Sequence, residues 1–265
     1  MPANNSIDLL IAAAKQGRQK IREDVANTRN TKPGQKRDGS LLTEADLASQ
    51  EVICSFLNRH WPGIPILSEE TSMDGTDIST GQWLVVDPLD GTTIFTRGIP
   101  FYSVTIAYIE DGCPQAGVVM PVAQDYCYAA VKDRFATIID DDFHKTPIRC
   151  KSRTLEESIL CVTCDYSVPS GREKWWQWLE KLRPPTCFRL RLLQSSALEL
   201  CLLAEGKIDG YLHPTDNPWD MAAAGLITQE AGGRVFGIEG GAWSVNKNGI
   251  IAVTPAITNI LPIIL

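Results

Sequence analysis

Five acids stand where the chain changes direction. Asp46, Glu69, Asp87, Asp90 and Asp220 each adjoin a strand end or a helix start. The stretch around which the others are arranged is Trp83-Leu84-Val85-Val86-Asp87-Pro88-Leu89-Asp90-Gly91-Thr92-Thr93. It opens as a short apolar, β-branched run, the pattern of a buried strand. Pro88 cannot donate to a ladder, so the strand is expected to stop there. Asp90-Gly91 is a turn signal, and Thr92 and Thr93 can cap a following helix. Two carboxylates at a strand end beside a helix N-terminus suit a divalent cation together with a phosphate. Each acid also has an ordinary explanation. A strand-to-turn exit carries solvated acids, Thr43 and Asp46 form a capping box by themselves, and Asp220 in a first helical turn answers the helix dipole. If the five converge, each pair repels by ~4 kcal/mol at ~4 Å and an effective dielectric of ~20. Protons or cations must then offset the repulsion. The set is all oxygen, with no His or Cys, which selects hard cations: Mg²⁺ first, Mn²⁺ as the alternative.

The elements that must position these acids follow from periodicity. Ile7 to Asn27 has helical apolar spacing. Thr28 to Ser40 is polar with Pro33, Gly34 and Gly39 and is expected to be an exposed loop. Its cations Lys32, Lys36 and Arg37 read as a solvated run or as a flap over an anionic substrate. A second helix runs from Thr43 to about His60, then a short strand, Ile64 to Leu67, leads into Glu69-Glu70. Strand candidates at Tyr102–Ile109, Ala116–Met120, Tyr126–Val131 and Phe135–Ile139 make an antiparallel meander. Asp140-Asp141-Asp142 reads as a solvated turn. Later come a strand at Ile159–Thr163, a helix at Arg172–Leu182 with Trp175, Trp176 and Trp178, a helix at Ser195–Ala204 and a strand at Ile208–Leu212. Next is a helix opened by Pro218 and closed by Gly232-Gly233, and last a strand over Ile250–Val253. The three Trp are expected in a core or a subunit contact. The Cys161-x-x-Cys164 pair lies in a strand with no partner pair at zinc spacing. A boundary near Pro147–Thr154 divides the chain into residues 1–148, an α+β half carrying most of the acids, and 149–265, an α/β half that completes the site.

Composition narrows the classes. At 265 residues and a net charge of -7, the chain offers no basic face for nucleic acid. No apolar run approaches a membrane span, and Met1 to Ser6 lacks a secretory pattern. Eight Cys without such a signal imply reduced thiols and a cytoplasmic location.

Four motifs in order now resemble the inositol monophosphatase family of lithium-sensitive, Mg²⁺-dependent phosphatases. They are Asp46 in Thr-Glu-Ala-Asp, the pair Glu69-Glu70, Asp87-Pro-Leu-Asp-Gly-Thr92, and Trp219-Asp220 eleven residues before Gly232-Gly233. Gly117-Val-Val, Leu200 to Gly206 and Asp209-Gly-Tyr extend the likeness over nearly the whole length. The resemblance implies a layered αβαβα fold, α+β with an antiparallel N-terminal sheet. It implies hydrolysis of a small phosphate monoester, such as inositol 1-phosphate or a sugar phosphate, by activated water without a covalent phosphoenzyme. Glu69, Asp87 and the Leu89 carbonyl would hold one metal, and Asp87, Asp90 and Asp220 a second. A third, weaker ion near Glu69 is an option. Gly91 and Thr92 would meet the phosphate; Asp46, Glu69 and Thr92 would activate the water; Glu70 would sit in the outer shell. Li⁺ inhibition and a homodimer are implied in the same way.

Departures from the family pattern cluster on the alcohol side of the site. Ile94 replaces a frequent Asn, His213 replaces a Glu, and Gln194-Ser195-Ser196-Ala197 replaces a Gly-Ser/Thr-Ala-Ala turn. Gln194, Ser196 and His213 are therefore expected to meet the alcohol, and Asp90, Gly91 and Thr92 complete the expected substrate-binding set. Ser68 before Glu69 is reminiscent of the bisphosphate nucleotidase branch, and fructose 1,6-bisphosphate or histidinol phosphate are further options. Two rivals stand beside this reading. A haloacid-dehalogenase-type phosphatase would place one residue, not two, between its acids. A catalytically silent relative would act through binding alone.

Overall fold

A computed structural model of the chain describes residues 3–27, 34–35, 41–71 and 76–265. The cations Lys32, Lys36 and Arg37 lie outside the described residues, as do residues 72–75 of the loop before the Asp87 strand.

The first half is helix pair on sheet. Helix α1 (Ala3–Asn27) buries Ile7, Leu10, Ile11, Ala14 and Ile21 of its predicted stripe, while Val25, expected with them, is exposed. After a short hairpin of β1 (Gly34–Gln35) and β2 (Leu41–Leu42), α2 (Glu44–His60) packs beside it. Gly17 makes the approach close: a Cβ there would lie 2.6 Å from Ile53 Cδ1. Strand β3 (Ile66–Ser68) runs parallel to β4 (Gln82–Asp90), which leads through a single turn, α3 (Thr92–Phe95), into β5 (Ser103–Glu110). The predicted meander follows as β6 (Cys113–Pro121), β7 (Tyr126–Val131) and β8 (Thr137–Asp140). A further strand, β9 (Lys145–Pro147), completes a seven-stranded sheet in the order β3-β4-β5-β6-β7-β8-β9. The acid run after β8 is not merely solvated. Asp141 takes both oxygens to Arg18 Nη2 at 2.8 Å and one to Lys15, which ties the hairpin to α1.

The second half is built on β10 (Ile159–Val162), α4 (Pro169–Leu182), β11 (Arg189–Arg191), α5 (Ser196–Ala204), β12 (Gly210–His213), α6 (Pro218–Glu230), β13 (Arg234–Phe236), β14 (Ile250–Val253) and α7 (Leu261–Ile264). Its sheet has the order β11-β10-β12-β14-β13, with β10 parallel to β11 and β12 and the remaining pairs antiparallel.

Strand alternation sets the layers. On one face of the first sheet, Leu84, Val86, Val104, Ile106, Val118 and Met120 pack against α1 and α2. On the other, Val85, Ala107, Ile109, Val119 and Tyr128 share a core with Leu200, Met221 and Ala223 of α5 and α6. The same core takes Cys161, Tyr211 and Ala252 from one face of the second sheet. The opposite face, Leu160, Val162, Leu212 and Ile251, packs on Trp178 of α4 and Ile264 of α7. The order is therefore αβαβα, with α5 and α6 as the central layer. Of the three Trp, Trp178 is wholly buried in this last core and donates to Ile264 O at 3.2 Å. Trp175 donates to Val162 O, and Trp176 is exposed. Cys161 and Cys164 are buried free thiols.

Candidate active site

Strand β4 does not stop at Pro88. It continues to Asp90 through a bulge: Asp87 pairs with Thr105 and Asp90 with Ser103, so Pro88 and Leu89 stand opposite Val104 alone. A bulge needs no ladder donor at Pro88, which is why the proline is tolerated. The bulge also re-aims the acids. Residues three apart in a regular strand face opposite sides, but the extra residue gives Asp87 and Asp90 the shared facing of Thr105 and Ser103. Both then meet Asp220 from the first turn of α6, and the three carboxylates lie within 4.8 Å of one another. Thr105 anchors that turn to β5 by donating to Trp219 O at 2.7 Å. Asp220 also closes a capping box with Asn217, so its structural role and its place in the cluster coexist.

Each acid is steered by donors on one side. Asp87 Oδ1 accepts Leu89 N–H at 2.8 Å. Asp90 Oδ2 accepts the hydroxyls of Ser103 and Ser195 and the N–H of Ala197, leaving Oδ1 without a donor among the described residues. Burial pushes the Asp87 carboxyl well above the usual range, and the charges of Glu69, Asp220 and Asp90 push it further. Burial raises Asp90 to about 7 against the pull of the Ser195 hydroxyl. Asp220 is raised by burial and by Asp216, Glu69 and Asp90. A buried, oxygen-only cluster that resists ionisation suits a hard divalent cation.

The second group forms around Thr92. Gly91, at φ 93°, takes the N-cap position of α3. A Cβ there would sit 3.2 Å from Phe101 O, so a left-handed glycine rather than a Thr cap starts the turn. Thr92 Oγ1 reaches Asp46 Oδ1 and Leu89 O, both at 3.0 Å. Asp46 is buried, and its other oxygen accepts the N–H and hydroxyl of Thr43 in the predicted capping box. Burial raises the Asp46 carboxyl despite these donors. Glu69 opens the 3₁₀ turn Glu69–Thr71 after β3, close enough for its charge to act on Asp46, Asp87 and Asp220. Glu70 is the next residue of that turn and is half-buried.

Of the three residues expected to meet the alcohol, Gln194 and Ser196 flank Ser195, which bonds Asp90, and His213 ends β12. Gln194 is exposed, with φ 66°, in the turn before α5. Ser196 donates to Asp216 Oδ1 at 3.0 Å, and Tyr211 Oη reaches Ser196 Oγ and Asp216 Oδ2 at 2.7 and 3.0 Å. His213 is buried, stacks on Tyr211 and accepts Thr215 N–H at Nδ1. Burial lowers its pKa, so the ring is neutral near pH 7. Sequence reasoning missed Ser103, Ser195, Tyr211 and Asp216. Asp216 sits in Thr-Asp-Asn-Pro, which reads only as a turn; no local pattern signals that it is buried.

The chain belongs to the inositol monophosphatase family, whose model matches residues 4–261. It is 30% identical over 256 residues to a Nus factor SuhB of Pasteurella multocida, covering 96% of this chain and 93% of that one. It is 31% identical over 257 residues to a histidinol-phosphatase of Mycobacterium tuberculosis, covering 92% and 94%. The crystal structure of the extragenic suppressor protein SuhB from Bartonella henselae superimposes with a TM-score of 0.85 at 29% identity, covering 97% and 96%. The protein is thereby a phosphoric monoester hydrolase by family. Among the described residues no helix is long and apolar enough to cross a membrane.

Proposed function

We propose that this phosphatase hydrolyses a small-molecule phosphate monoester with Mg²⁺ at the carboxylate cluster. The observation that carries the reading is the convergence of Asp87, Asp90 and Asp220 beside the Thr92–Asp46 pair. Glu69, Asp87 and the Leu89 carbonyl would hold one ion, and Asp87, Asp90 and Asp220 another; Mn²⁺ is the nearest substitute. Bound there, such ions supply charge for the phosphoryl oxygens, an acidified water and support for the leaving oxygen. Thr92 directs its hydroxyl proton to Asp46 or Leu89 O, so its oxygen is left to accept a proton from a water. Asp46 fixes that orientation, and Glu69 lies close enough to share the water's proton. The backbone N–H groups of Gly91 and Thr92, at the start of a turn, suit the phosphate oxygens. Gln194, Ser196 and His213 face the alcohol. A net charge of -7 supports a small-molecule substrate over a nucleic-acid partner, whatever the Nus factor name denotes in the Pasteurella relative. We read the protein as a cytoplasmic homodimer, the latter checked by light scattering.

The test is phosphate release from inositol 1-phosphate, fructose 1,6-bisphosphate, 3′-phosphoadenosine 5′-phosphate, histidinol phosphate and glycerol 2-phosphate, with and without Mg²⁺ and Li⁺. Mg²⁺-dependent, Li⁺-sensitive release from one substrate supports the reading. Release that ignores chelator and survives Asp90→Asn and Asp220→Asn refutes the cation assignment. No release from any ester, with Mg²⁺ bound, favours a silent relative.

A further inference from the structure

The turn that carries Gln194 and Ser195 is fastened by an acid that neither the cation site nor the alcohol side uses. Glu199 lies in the first turn of α5 and is 0% exposed. It is the one charged residue of that helix. An acid in a first helical turn ordinarily answers the helix dipole at the surface. This one folds back onto the turn before the helix. Its Oε1 accepts the Leu193 N–H at 2.6 Å, and the Gln194 N–H acts on the same carboxyl. Its Oε2 is buried with no hydrogen-bond partner among the described residues. A buried carboxyl costs free energy that a leucine there would not, so what the position supplies is the acceptor. The turn has use for one. Gln194 sits at φ 66°, a left-handed conformation that residues other than glycine rarely adopt. Directly after it, Ser195 donates to Asp90 Oδ2, and the Ala197 N–H reaches the same oxygen at 3.2 Å. The Glu199 N–H closes that first helical turn on Ser195 O at 2.9 Å.

Resting on the cation assignment above, we infer that Glu199 is a positioning residue for the divalent-cation site: by bonding the Leu193 N–H it holds Ser195 on Asp90 Oδ2 and so keeps Asp90 Oδ1 turned to the ion. The path is short. The carboxyl fixes Leu193 and Gln194, these fix where Ser195 starts the helix, and Ser195 fixes which oxygen of Asp90 is spoken for. Glu199 itself would meet neither the ion nor the phosphate. The role asks for an acceptor at the right reach and not for a charge. Burial raises the Glu199 carboxyl to about 8, so near pH 7 it is mostly neutral and a glutamine can stand in for it. An aspartate is one methylene too short, and a methionine offers only a weak acceptor.

The experiment measures Mg²⁺ binding to the substrate-free protein by calorimetry, in the wild type, Glu199→Gln, Glu199→Asp, Glu199→Met, Ser195→Ala and the double variant Glu199→Met with Ser195→Ala. Hydrogen exchange of the Leu193 amide is followed with and without Mg²⁺. Glu199→Gln should keep the affinity within about twofold, whereas Glu199→Asp and Glu199→Met should each lose about tenfold, as Ser195→Ala does. The double variant should lose no more than about tenfold, because Glu199 acts through Ser195; independent effects would multiply to about a hundredfold. In the wild type Mg²⁺ should slow exchange of the Leu193 amide, since coupling between turn and ion is reciprocal. Glu199→Asp and Glu199→Met proteins that melt lower but bind Mg²⁺ like the wild type would show a carboxyl that serves the fold alone and overturn the inference. A multiplicative double variant, or a Leu193 amide indifferent to Mg²⁺, overturns it as well, and the exchange measurement holds even if Glu199→Met fails to fold. A wild type that binds no Mg²⁺ refutes the cation assignment and this inference with it, a result distinct from binding that ignores Glu199.

Discussion

Removing divalent cations and raising the pH should destabilise this protein together, and the size of the effect follows from Asp90. Burial raises its carboxyl from 3.8 to about 7 in the folded chain, while the unfolded chain keeps the ordinary value. A raised folded pKa contributes stability that is fully present below pH 3.8 and is lost as pH climbs through about 7. At ~1.4 kcal/mol per unit, that loss is about 4 kcal/mol for Asp90 alone. Asp87 and Asp220 shift in the same direction, and Glu199, buried and raised to about 8, extends the loss to higher pH. His213 works the other way: held neutral by burial, it adds stability as pH rises through 6.5. Asp46 and Glu230 are raised as well, so it is one group against six. Surface acids with lowered values, such as Asp140 and Asp141, are already ionised in this range. For a chain of this size 1 kcal/mol moves Tm by ~2–4 °C, so the chelated protein should lose roughly 10 °C between pH 5 and pH 8. Mg²⁺ at about a hundred times its Kd should return ~3 kcal/mol at the upper end. Differential scanning calorimetry in matched buffers, with chelator and with Mg²⁺, measures both. Asp90→Asn supplies the control: it should raise the Tm of the chelated protein at pH 8, because it removes a charge from the cluster, and flatten the slope. A chelated Tm that is level or rising over this range, or an Asp90→Asn protein with the wild-type slope, would refute the reasoning.

Two further outcomes follow from contacts beside the cluster. Ser195→Ala removes a hydroxyl from Asp90 Oδ2 and leaves Ser103 and Ala197 to hold it. The apparent Mg²⁺ affinity should fall about tenfold, with activity restored by excess Mg²⁺, and a Mg²⁺ titration of phosphate release reads this directly. Gly117→Val drives a side chain into α6, where a Cβ would lie 2.8 Å from Ala223 Cα. It should cost at least ~3 kcal/mol, seen as a lower urea midpoint, while Gly63→Ala, with nothing within 4 Å and only a positive φ to disturb, should cost about 1 kcal/mol.

How much of this was readable from the chain varies by residue. The helices α1, α2 and α6 announce themselves through spacing, Thr43, Pro218 and Gly232-Gly233, and the meander through regular turns. Three-residue strands such as β11 and β13, each carrying arginine, have no alternation long enough to detect. Pro88 misled because a local rule about ladder donors ignores the bulge that dispenses with one. Thr92 and Thr93 look like caps, but the αL conformation of Gly91 starts the turn, a choice set by Phe101 and Tyr102 packed behind it. Asp87 and Asp90 were legible as a pair because their neighbours are local. Their meeting with Asp220 depends on how α6 lies on β5 and β6, and no window of sequence contains that. Asp216 was invisible for the same reason, and Ser195, though part of a turn the sequence marked out, gave no sign of its bond to Asp90: both roles exist only through Tyr211, Ser196 and Asp90, which arrive from other elements.

The Ala222-Ala223-Ala224-Gly225 run gives α6 an unusual duty. On one side Gly117 lets backbone touch backbone; on the other, Gly225 admits the ring of Trp243 to within 2.5 Å of where a Cβ would be. A helix bare at these positions behaves as a gauge block, its thickness setting how close the first sheet on one flank and the Trp243 ring on the other can come. Asp220 is carried at one end of that block and Asp87 and Asp90 on the wall it rests against. The dimension of the cluster is thus machined by alanines that never touch it, and its tolerance is about the width of a methyl group.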